Sequence, residues 1–231
     1  MKTLKESLQE LTLIQRRKHH PLIHEIHEKH KLSKRTLFYV KEYGPHSNVP
    51  RTIVKESLKV LLFASLLSSL GGFTLEGIKE VFVTIVPLII LLPALNSMIG
   101  SYGSIISSKF TTLLHTGRLR GDWHKNAELR RLFLQVLLLS VITAFLTVIM
   151  AFLLSLASGF NLTLETALKV SFITGVDVIL LVCILFLISI TAGFYFYKRN
   201  EDPDNFLIPI TTSIADFGNM LLLTGLVILL F

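Results

Sequence analysis

The sequence contains little cysteine, little tryptophan and little charge for a chain of 231 residues. Cys183 is its single cysteine, so an intramolecular disulfide and a cluster of thiolate metal ligands are both excluded. Charged residues make up 17% of the chain, whereas soluble domains carry about 25%. Apolar residues make up 51%, and the mean hydropathy is +0.61. This composition excludes a soluble globular enzyme, a disordered chain and a disulfide-linked scaffold.

Five apolar stretches are each long enough to cross a membrane as a helix. A hydrocarbon core of about 30 Å requires about 20 mostly apolar helical residues. The stretches are residues 53–73, 81–108, 132–157, 167–197 and 206–231. The sequence therefore predicts an all-α, multi-pass membrane protein. A domain of five transmembrane helices, residues 51–231, follows a short, basic, helical tail, residues 1–50.

The basic residues are concentrated on one side of the predicted membrane. The net charge is +7, and 13 of the 23 Lys and Arg residues precede residue 60. The segment between the second and third stretches and the turn at Lys198 and Arg199 are also basic, while the other two loops hold one lysine each. Because cytoplasmic loops carry the excess of Lys and Arg, we predict a cytosolic N-terminus, an external C-terminus and a plasma-membrane location. A basic end of this kind favours the anionic lipid bilayer as a partner, and not a nucleic acid.

The tail shows two short helical patterns, the first with leucines at helical spacing and the second after Pro21, and Ser33 is a potential N-cap for a further helical segment. His20, His24 and His27 share one helix face, which predicts either a transition-metal site or a solvated surface helix. The tail is expected to lie under the cytosolic mouth, against the acidic turn at residues 201–204, or to rest on anionic lipid.

Two acidic residues, Asp216 and Asp177, lie inside predicted membrane spans, where charge is costly and is a functional candidate by default. Thr212, Asp216 and Asn219 are spaced i, i+4 and i+7, so they form a polar stripe on one helix face. Pro209, just before that stripe, has no N–H to donate to the carbonyl of Asn205. Oxygen ligands of this kind suit hard cations. The alternative is a protonated Asp216 hydrogen-bonded to a neighbouring helix.

The remaining intramembrane signals leave alternatives open. Asp177 has Thr174 one turn before it on an otherwise apolar face, which fits a hydrogen bond between helices at least as well as transport. The second span contains Pro87, Pro93 and a run rich in Gly and Ser. Gly100 and Gly103 in that run predict either exposed carbonyl groups along a transport path or close packing of small residues. The sequence shows no nucleophile beside a base and no phosphate-binding glycine loop, so we do not expect an enzyme.

Two sequence blocks resemble the signatures of the MgtE-type magnesium transporters and their animal solute-carrier relatives. The first is DPDNFLIPITTSIADFG, residues 202–218, in which an acidic-Pro turn leads into a helix with Pro, then Thr, then Asp. The second is PALNSMIGSYGSIISSKFTTLLHTG, residues 93–117, with its Pro, Gly, Ser and Thr-Thr positions in register. The resemblance covers about residues 53–231.

The resemblance implies a five-span unit that occurs twice, as a homodimer or as two halves of one chain, with an ion path at the two-fold axis. It assigns the pore carboxylate to Asp216 and the acid at the cytosolic mouth to Asp202. Ser101 stands, after Gly100, where the family has a pore-lining Asn, and the large regulatory region of bacterial members has only a 50-residue counterpart here. The predicted metal-binding residues are Asp216, Thr212, Asp202, Asn219, Ser101 and Gly100.

Three functional hypotheses follow. The first is a homodimeric, channel-like path for a divalent cation, with Mg²⁺ as the transported ion and Mn²⁺, Co²⁺ and Ca²⁺ as alternatives. The second is an Mg²⁺ exporter coupled to Na⁺ or H⁺, with Asp177 as a coupling site. The third is a membrane scaffold that transports nothing.

Overall fold

The computed structural model describes residues 3–13, 21–32, 37, 49–119, 126–199 and 202–231. Across these ranges the regular structure is helical and no residue is in a β-strand. The helices are α1 (Leu4–Leu13), α2 (Pro21–His30), α3 (Val49–Glu76), α4 (Lys79–Thr84), α5 (Val86–His115), α6 (Ala127–Ala157), α7 (Leu164–Lys198) and α8 (Pro203–Leu230). The predicted all-α class is confirmed.

Five of these helices, α3 and α5 to α8, are long and apolar enough to cross a membrane. The prediction of five spans is therefore confirmed by length and composition. The second span differs from its prediction, because it begins at Val86 and continues to His115. Pro87 at the start of α5 explains the later beginning, since proline fits the first turn of a helix but would clash with the preceding turn of a continuous one. The chain accordingly breaks at Ile85 between α4 and α5.

The five long helices alternate in direction. α5 runs antiparallel to α8, since Asn96 contacts Asn219 while Ser107 contacts Thr211. The end of α5, the beginning of α6, the end of α7 and the beginning of α8 consequently lie at one end of the bundle. That end carries Lys109, Arg118, Arg130, Arg131, Lys198 and Arg199, and we call it the basic end. Its position in the cytoplasm stays a prediction.

α7 is the central helix of the bundle and α3 is peripheral. In the apolar window of α7, 56% of the residues are buried, compared with 11% in α3. The buried face of α7 includes Ile173, Val178, Leu181 and Leu185, which join a core shared with α5, α6 and α8. Leucine and phenylalanine side chains cover the outer face of α3 and are exposed, as expected for a helix that faces lipid.

The tail forms the two predicted helices, α1 and α2. Leu11, Ile23, Ile26 and Leu37 form their own buried cluster. The predicted N-cap Ser33 and the predicted metal ligand His20 lie outside the described residues. His24 is exposed and pairs with Glu28, with 3.2 Å between Nε2 and Oε1, while a ring nitrogen of His27 contacts the carbonyl oxygen of Leu32. Nothing in the described part of the tail supports a metal site, and its docking on the membrane domain stays a prediction.

Candidate cation site

The site is built on α8, which begins at an acidic cap. Asp202 is the N-cap residue, and its carboxylate accepts a hydrogen bond of 3.2 Å from the backbone N–H of Asp204. Pro203 follows at the first helical position, where its missing N–H costs nothing. Asp202 is 7% exposed. It precedes Asp216 by fourteen residues, about 21 Å along the helix axis, so the two carboxylates do not form one site within a chain.

The predicted polar stripe of α8 lies in the groove between α3 and α5. Asp216 is at the midpoint of α8 and is half-buried, and its Oδ2 accepts a hydrogen bond of 3.2 Å from Ser68 of α3. One turn towards the N-terminus, Thr212 faces Gly100 of α5, where an added Cβ would lie 3.9 Å from the Thr212 methyl group. One turn towards the C-terminus, Asn219 faces α5 as well. The structure thus brings Gly100 and the three stripe residues into one groove.

Asn219 has a partner that the sequence analysis missed. It is fully buried, and its Nδ2 donates a hydrogen bond to Oδ1 of Asn96 on α5. Its own Oδ1 is buried and accepts no hydrogen bond from the described residues. Asn96, Gly100, Gly103 and Ser107 are spaced at intervals of four, three and four, and therefore share one face of α5. This spacing could have identified Asn96 from the sequence as a residue on the same face as Gly100 and Gly103.

Close packing holds the walls of the groove together. At Gly103, an added Cβ would lie 3.0 Å from the Cβ of Thr211, so α5 and α8 touch there. At Gly71, an added Cβ would lie 3.0 Å from the Cα of Phe217, so α3 touches α8 beside Asp216. Gly103 therefore serves packing, which is one of the two predicted roles, and Gly71 and Ser68 are site residues that the sequence analysis missed.

Ser101 does not join this group within one chain. Its side chain is exposed, and its hydroxyl donates a hydrogen bond of 2.7 Å to the carbonyl oxygen of Ser97 on its own helix. Thr212 also bonds to its own helix, through the carbonyl oxygens of Ile208 at 2.9 Å and Pro209 at 3.1 Å. A role of Ser101 in ion binding stays a prediction that requires a second copy of the chain.

Asp177 has a different environment. It is fully buried on α7, and neither carboxylate oxygen has a hydrogen-bond partner among the described residues. The hydroxyl of Thr174, one turn away, is also buried without a partner. The predicted hydrogen bond between helices is therefore not observed. Asp177 lies among buried apolar residues of α7, which include Ile173, Val178 and Leu181.

The groove offers oxygen ligands from a carboxylate, an amide and hydroxyl groups. In the described part of the chain, no three His, Cys, Asp or Glu side chains lie close enough together to hold a metal ion. A cation beside Asp216 would therefore meet one carboxylate per chain, with neutral oxygens and water completing its shell. Such a loose shell suits an ion that passes through better than one that stays bound.

Comparison with known families agrees with this chemistry. Residues 92–226 match the model of the MgtE family, described as "Divalent cation transporter", and this match covers more than half of the chain. The chain belongs to the MgtE family. Both blocks that carry the resemblance, residues 93–117 and 202–218, lie inside the matched region. The MgtE match begins in α5, so it does not include α3, which the resemblance was expected to cover.

Two curated relatives extend the likeness towards the N-terminus. "Solute carrier family 41 member 2" of Gallus gallus is 25% identical over 189 residues, which is 76% of this chain and 32% of the relative. The Homo sapiens protein of the same name is 27% identical over 179 residues, 72% of this chain and 30% of the relative. The chain thus spans about a third of the length of these relatives. No solved structure matches.

Proposed function

We propose that this MgtE-family chain carries a divalent cation, Mg²⁺ in the first place, across a membrane. The observation that supports the proposal is the position of Asp216, a half-buried carboxylate at the midpoint of a spanning helix. It faces a groove with the oxygens of Ser68 and the Asn96–Asn219 pair close by. A carboxylate at this depth is a functional candidate by default, and membership of a divalent cation transporter family supports a role of Asp216 in binding the transported ion.

The path is proposed to lie between two copies of the chain. One chain contributes one carboxylate at the membrane centre, which neutralises half of a divalent charge. A two-fold axis beside the groove would place two Asp216 side chains on opposite sides of the ion. The exposed surface at Ser97 and Ser101, in the middle of α5, would then be covered by the second copy. This is the arrangement in which Ser101 acquires its predicted role.

Mg²⁺ fits such a path because it gives up its water reluctantly. It is commonly bound by one or two carboxylates while it keeps several water molecules. Two Asp216 carboxylates with amide and hydroxyl groups around them would hold a largely hydrated ion without a tight cage. The ion could therefore leave as well as enter.

Flux into vesicles tests the proposal. The purified protein is reconstituted into liposomes that contain a divalent-sensitive dye. Mg²⁺, Mn²⁺, Co²⁺ and Ca²⁺ are then added outside in turn, without a sodium or proton gradient. We expect dye signals for Mg²⁺ above those of protein-free vesicles. The absence of flux for all four ions, with protein of correct fold and orientation, would favour the scaffold hypothesis instead.

Coupled export is a second candidate, favoured by the buried, unpartnered carboxylate of Asp177. A proton or a Na⁺ ion at that carboxylate would satisfy it, and its release could accompany Mg²⁺ movement. The same vesicles distinguish the two candidates. An exchanger would show Mg²⁺ flux only when a sodium or proton gradient is imposed. In the Asp177→Asn variant of an exchanger, the flux would no longer depend on that gradient. Both results together would favour an exchanger over the channel-like path.

Orientation and membrane are part of the proposal. We expect the basic end to face the cytoplasm and the protein to lie in the plasma membrane. In a Cys183→Ser background, a cysteine in place of the exposed Asn161 should react with an impermeant thiol reagent added outside intact cells. A cysteine in place of Ala127, at the basic end, should not. The reverse labelling would overturn the orientation.

The basic tail is proposed to respond to Mg²⁺ at the basic end of the bundle. The cations of the tail are close in sequence to the membrane domain, and a short tether gives a high effective concentration for docking on the acidic turn at residues 201–204. Deleting residues 1–45 should change how flux depends on internal Mg²⁺. An unchanged dependence would leave lipid attachment as the role of the tail.

A further inference from the structure

A cavity at the basic end of the bundle lies apart from the groove of Asp216. It has a volume of about 460 Å³ and lies between the last turns of α5 and the first turns of α6. Its polar lining is Lys109, Thr112, Arg118, Glu128, Arg131 and Gln135. Its apolar lining is Ile105, Leu113, Leu132, Val136 and Leu139. The cavity therefore combines a cationic region with a hydrocarbon surface.

Hydrogen bonds at the end of α5 and at the beginning of α6 hold Arg118 beside this cavity. Gly117 adopts φ 69°, which a side chain would strain. It closes α5 with two backbone hydrogen bonds, from Gly117 to Leu114 at 3.1 Å and from Arg118 to Leu113 at 3.2 Å. Asn126 then caps α6 through its side-chain oxygen, and its amide donates a hydrogen bond of 3.0 Å to the carbonyl oxygen of Arg118. The position of Arg118 is thus fixed from both helices.

The charges of the cavity do not cancel. Arg118 pairs with Glu128, with 3.4 Å between Nη1 and Oε1. Lys109 and Arg131 are exposed and form no ion pair with the described residues. Three cations against one carboxylate repel a divalent cation, so this cavity is not a branch of the proposed ion path. They attract an anion.

We propose that this cavity binds the headgroup of an anionic phospholipid, with an acyl chain along its apolar lining. Lys109 and Arg131 would contact the phosphate, and the side-chain amide of Gln135 would donate a hydrogen bond to it or to the headgroup. Ile105 and Leu139 are 39% and 43% exposed, and an acyl chain would cover them. A free phosphate ion would contact only the cationic part of the lining, whereas a lipid would also cover the apolar part, so the lipid is the better occupant. Basic pockets between transmembrane helices at the cytoplasmic surface have this chemistry.

A groove between α6 and α7 serves as a comparison for the cavity between α5 and α6. It has a volume of about 340 Å³ between α6 and α7, and its lining is apolar apart from Ser171 and Thr174. It contains no charged side chain, so an acyl chain could lie there whatever its headgroup. Selection for negative charge is therefore expected only at the cavity of α5 and α6.

Native mass spectrometry of the full chain in neutral detergent tests the proposal. Palmitoyl-oleoyl phosphatidylglycerol and palmitoyl-oleoyl phosphatidylcholine are added at equal concentration, and the bound fraction of each is measured. We expect phosphatidylglycerol to be retained preferentially. Lys109→Gln and Arg131→Gln should each weaken its binding about fivefold, the effect of one basic side chain near an anionic lipid.

Arg130→Gln is the matched control, because Arg130 is exposed on the same turn of α6 but does not line the cavity. It should leave binding within about twofold of the parent. Equal retention of the two lipids, or an Arg130→Gln effect as large as that of Arg131→Gln, would overturn the proposal. Displacement of phosphatidylglycerol by millimolar inorganic phosphate would also overturn it, by showing that the cavity takes the free anion.

Discussion

The two carboxylates inside the membrane, Asp216 and Asp177, differ in access and in neighbours. Asp216 is half-buried, bonds to Ser68 and has further polar groups one turn away on either side. Asp177 is fully buried, and its oxygens bond to none of the described residues. In the sequence both are single acids in apolar runs, and only Asp216 belongs to a polar stripe. The structure separates a half-buried carboxylate beside other polar groups from one that is enclosed by the core.

This difference shows which property a transport site needs. An ion must exchange water for protein oxygens in small steps, which requires several oxygens along an accessible groove. The face of α8 towards α3 and α5 supplies them. The surroundings of α7 supply apolar contacts, so a charge there would have no compensation. We therefore expect substitutions at Asp216 to affect transport more than substitutions at Asp177.

The largest effect is expected for Asp216→Ala. It removes the charge at the membrane centre, and Mg²⁺ flux should fall about 100-fold, equivalent to about 3 kcal/mol of lost binding to the ion on its path. The chain should still fold, because the lost bond to Ser68 is one hydrogen bond on a half-buried surface. Flux in liposomes measures the loss of transport, and thermal unfolding in detergent measures whether the fold is retained. Flux at the parental level would show that the ion does not pass Asp216.

A smaller effect is expected where α3 supports the site. Gly71→Ala places a Cβ 3.0 Å from the backbone of Phe217, so α3 must move away from α8. Overpacking of this kind costs about 1–3 kcal/mol, and flux should fall about fivefold because Ser68 moves with α3. Gly72→Ala is the control, since nothing lies within 4 Å of its Cβ position. Equal effects of the two substitutions would show that the contact beside Asp216 does not matter.

Asp177→Asn should change flux by less than about threefold, which is under about 1 kcal/mol. The substitution keeps the size of the side chain and breaks no hydrogen bond to the described residues. It also removes a group that is costly to charge in the core, so the melting temperature should stay equal or rise. A loss of flux comparable to that of Asp216→Ala would reverse the comparison and identify Asp177 as the coupling site.

The smallest effect is expected for Ser101→Ala, about twofold or less. The hydroxyl of Ser101 bonds to its own helix and points out of the groove of its chain. Removing it should therefore leave the Mg²⁺ flux of the protein almost intact, while the preference among Mg²⁺, Mn²⁺ and Ca²⁺ reports any contact across the two-fold axis. A tenfold loss of flux would make Ser101 a principal ligand.

The sequence predicts the helices and the stripe of α8 well, for physical reasons. Long apolar runs have few alternatives to a spanning helix, because lipid offers no partner for free backbone groups. The spacing of Thr212, Asp216 and Asn219 fixes a common face once the segment is helical. The start of α5 was misplaced because hydropathy does not distinguish α4 from α5. Pro87 could have corrected the prediction, because proline is typical of the first turn of a helix.

The partners of the stripe were harder to predict. Ser68 and Ser69 are adjacent hydroxyl residues, and only the packing of α3 decides that Ser68 reaches Asp216 while Ser69 bonds to Ser65. The role of Asn96 depends on the register between α5 and α8, which one sequence does not encode in any local pattern. The isolation of Asp177 likewise depends on three neighbouring helices. The sequence therefore predicts the helices but not the contacts between them.

We propose that a divalent ion is held between two copies of Asp216, so the number of metal ions bound per chain reports on this arrangement. In a Cys183→Ser background, Asp216→Cys replaces the carboxylate with a thiol that prefers a soft metal such as Cd²⁺. Cd²⁺ bound to the purified protein is counted by native mass spectrometry and compared with Cys183→Ser alone. We expect the Asp216→Cys protein to be a dimer and to bind one more Cd²⁺ per two chains than the Cys183→Ser protein. One additional Cd²⁺ per chain, or binding by monomers, would contradict it.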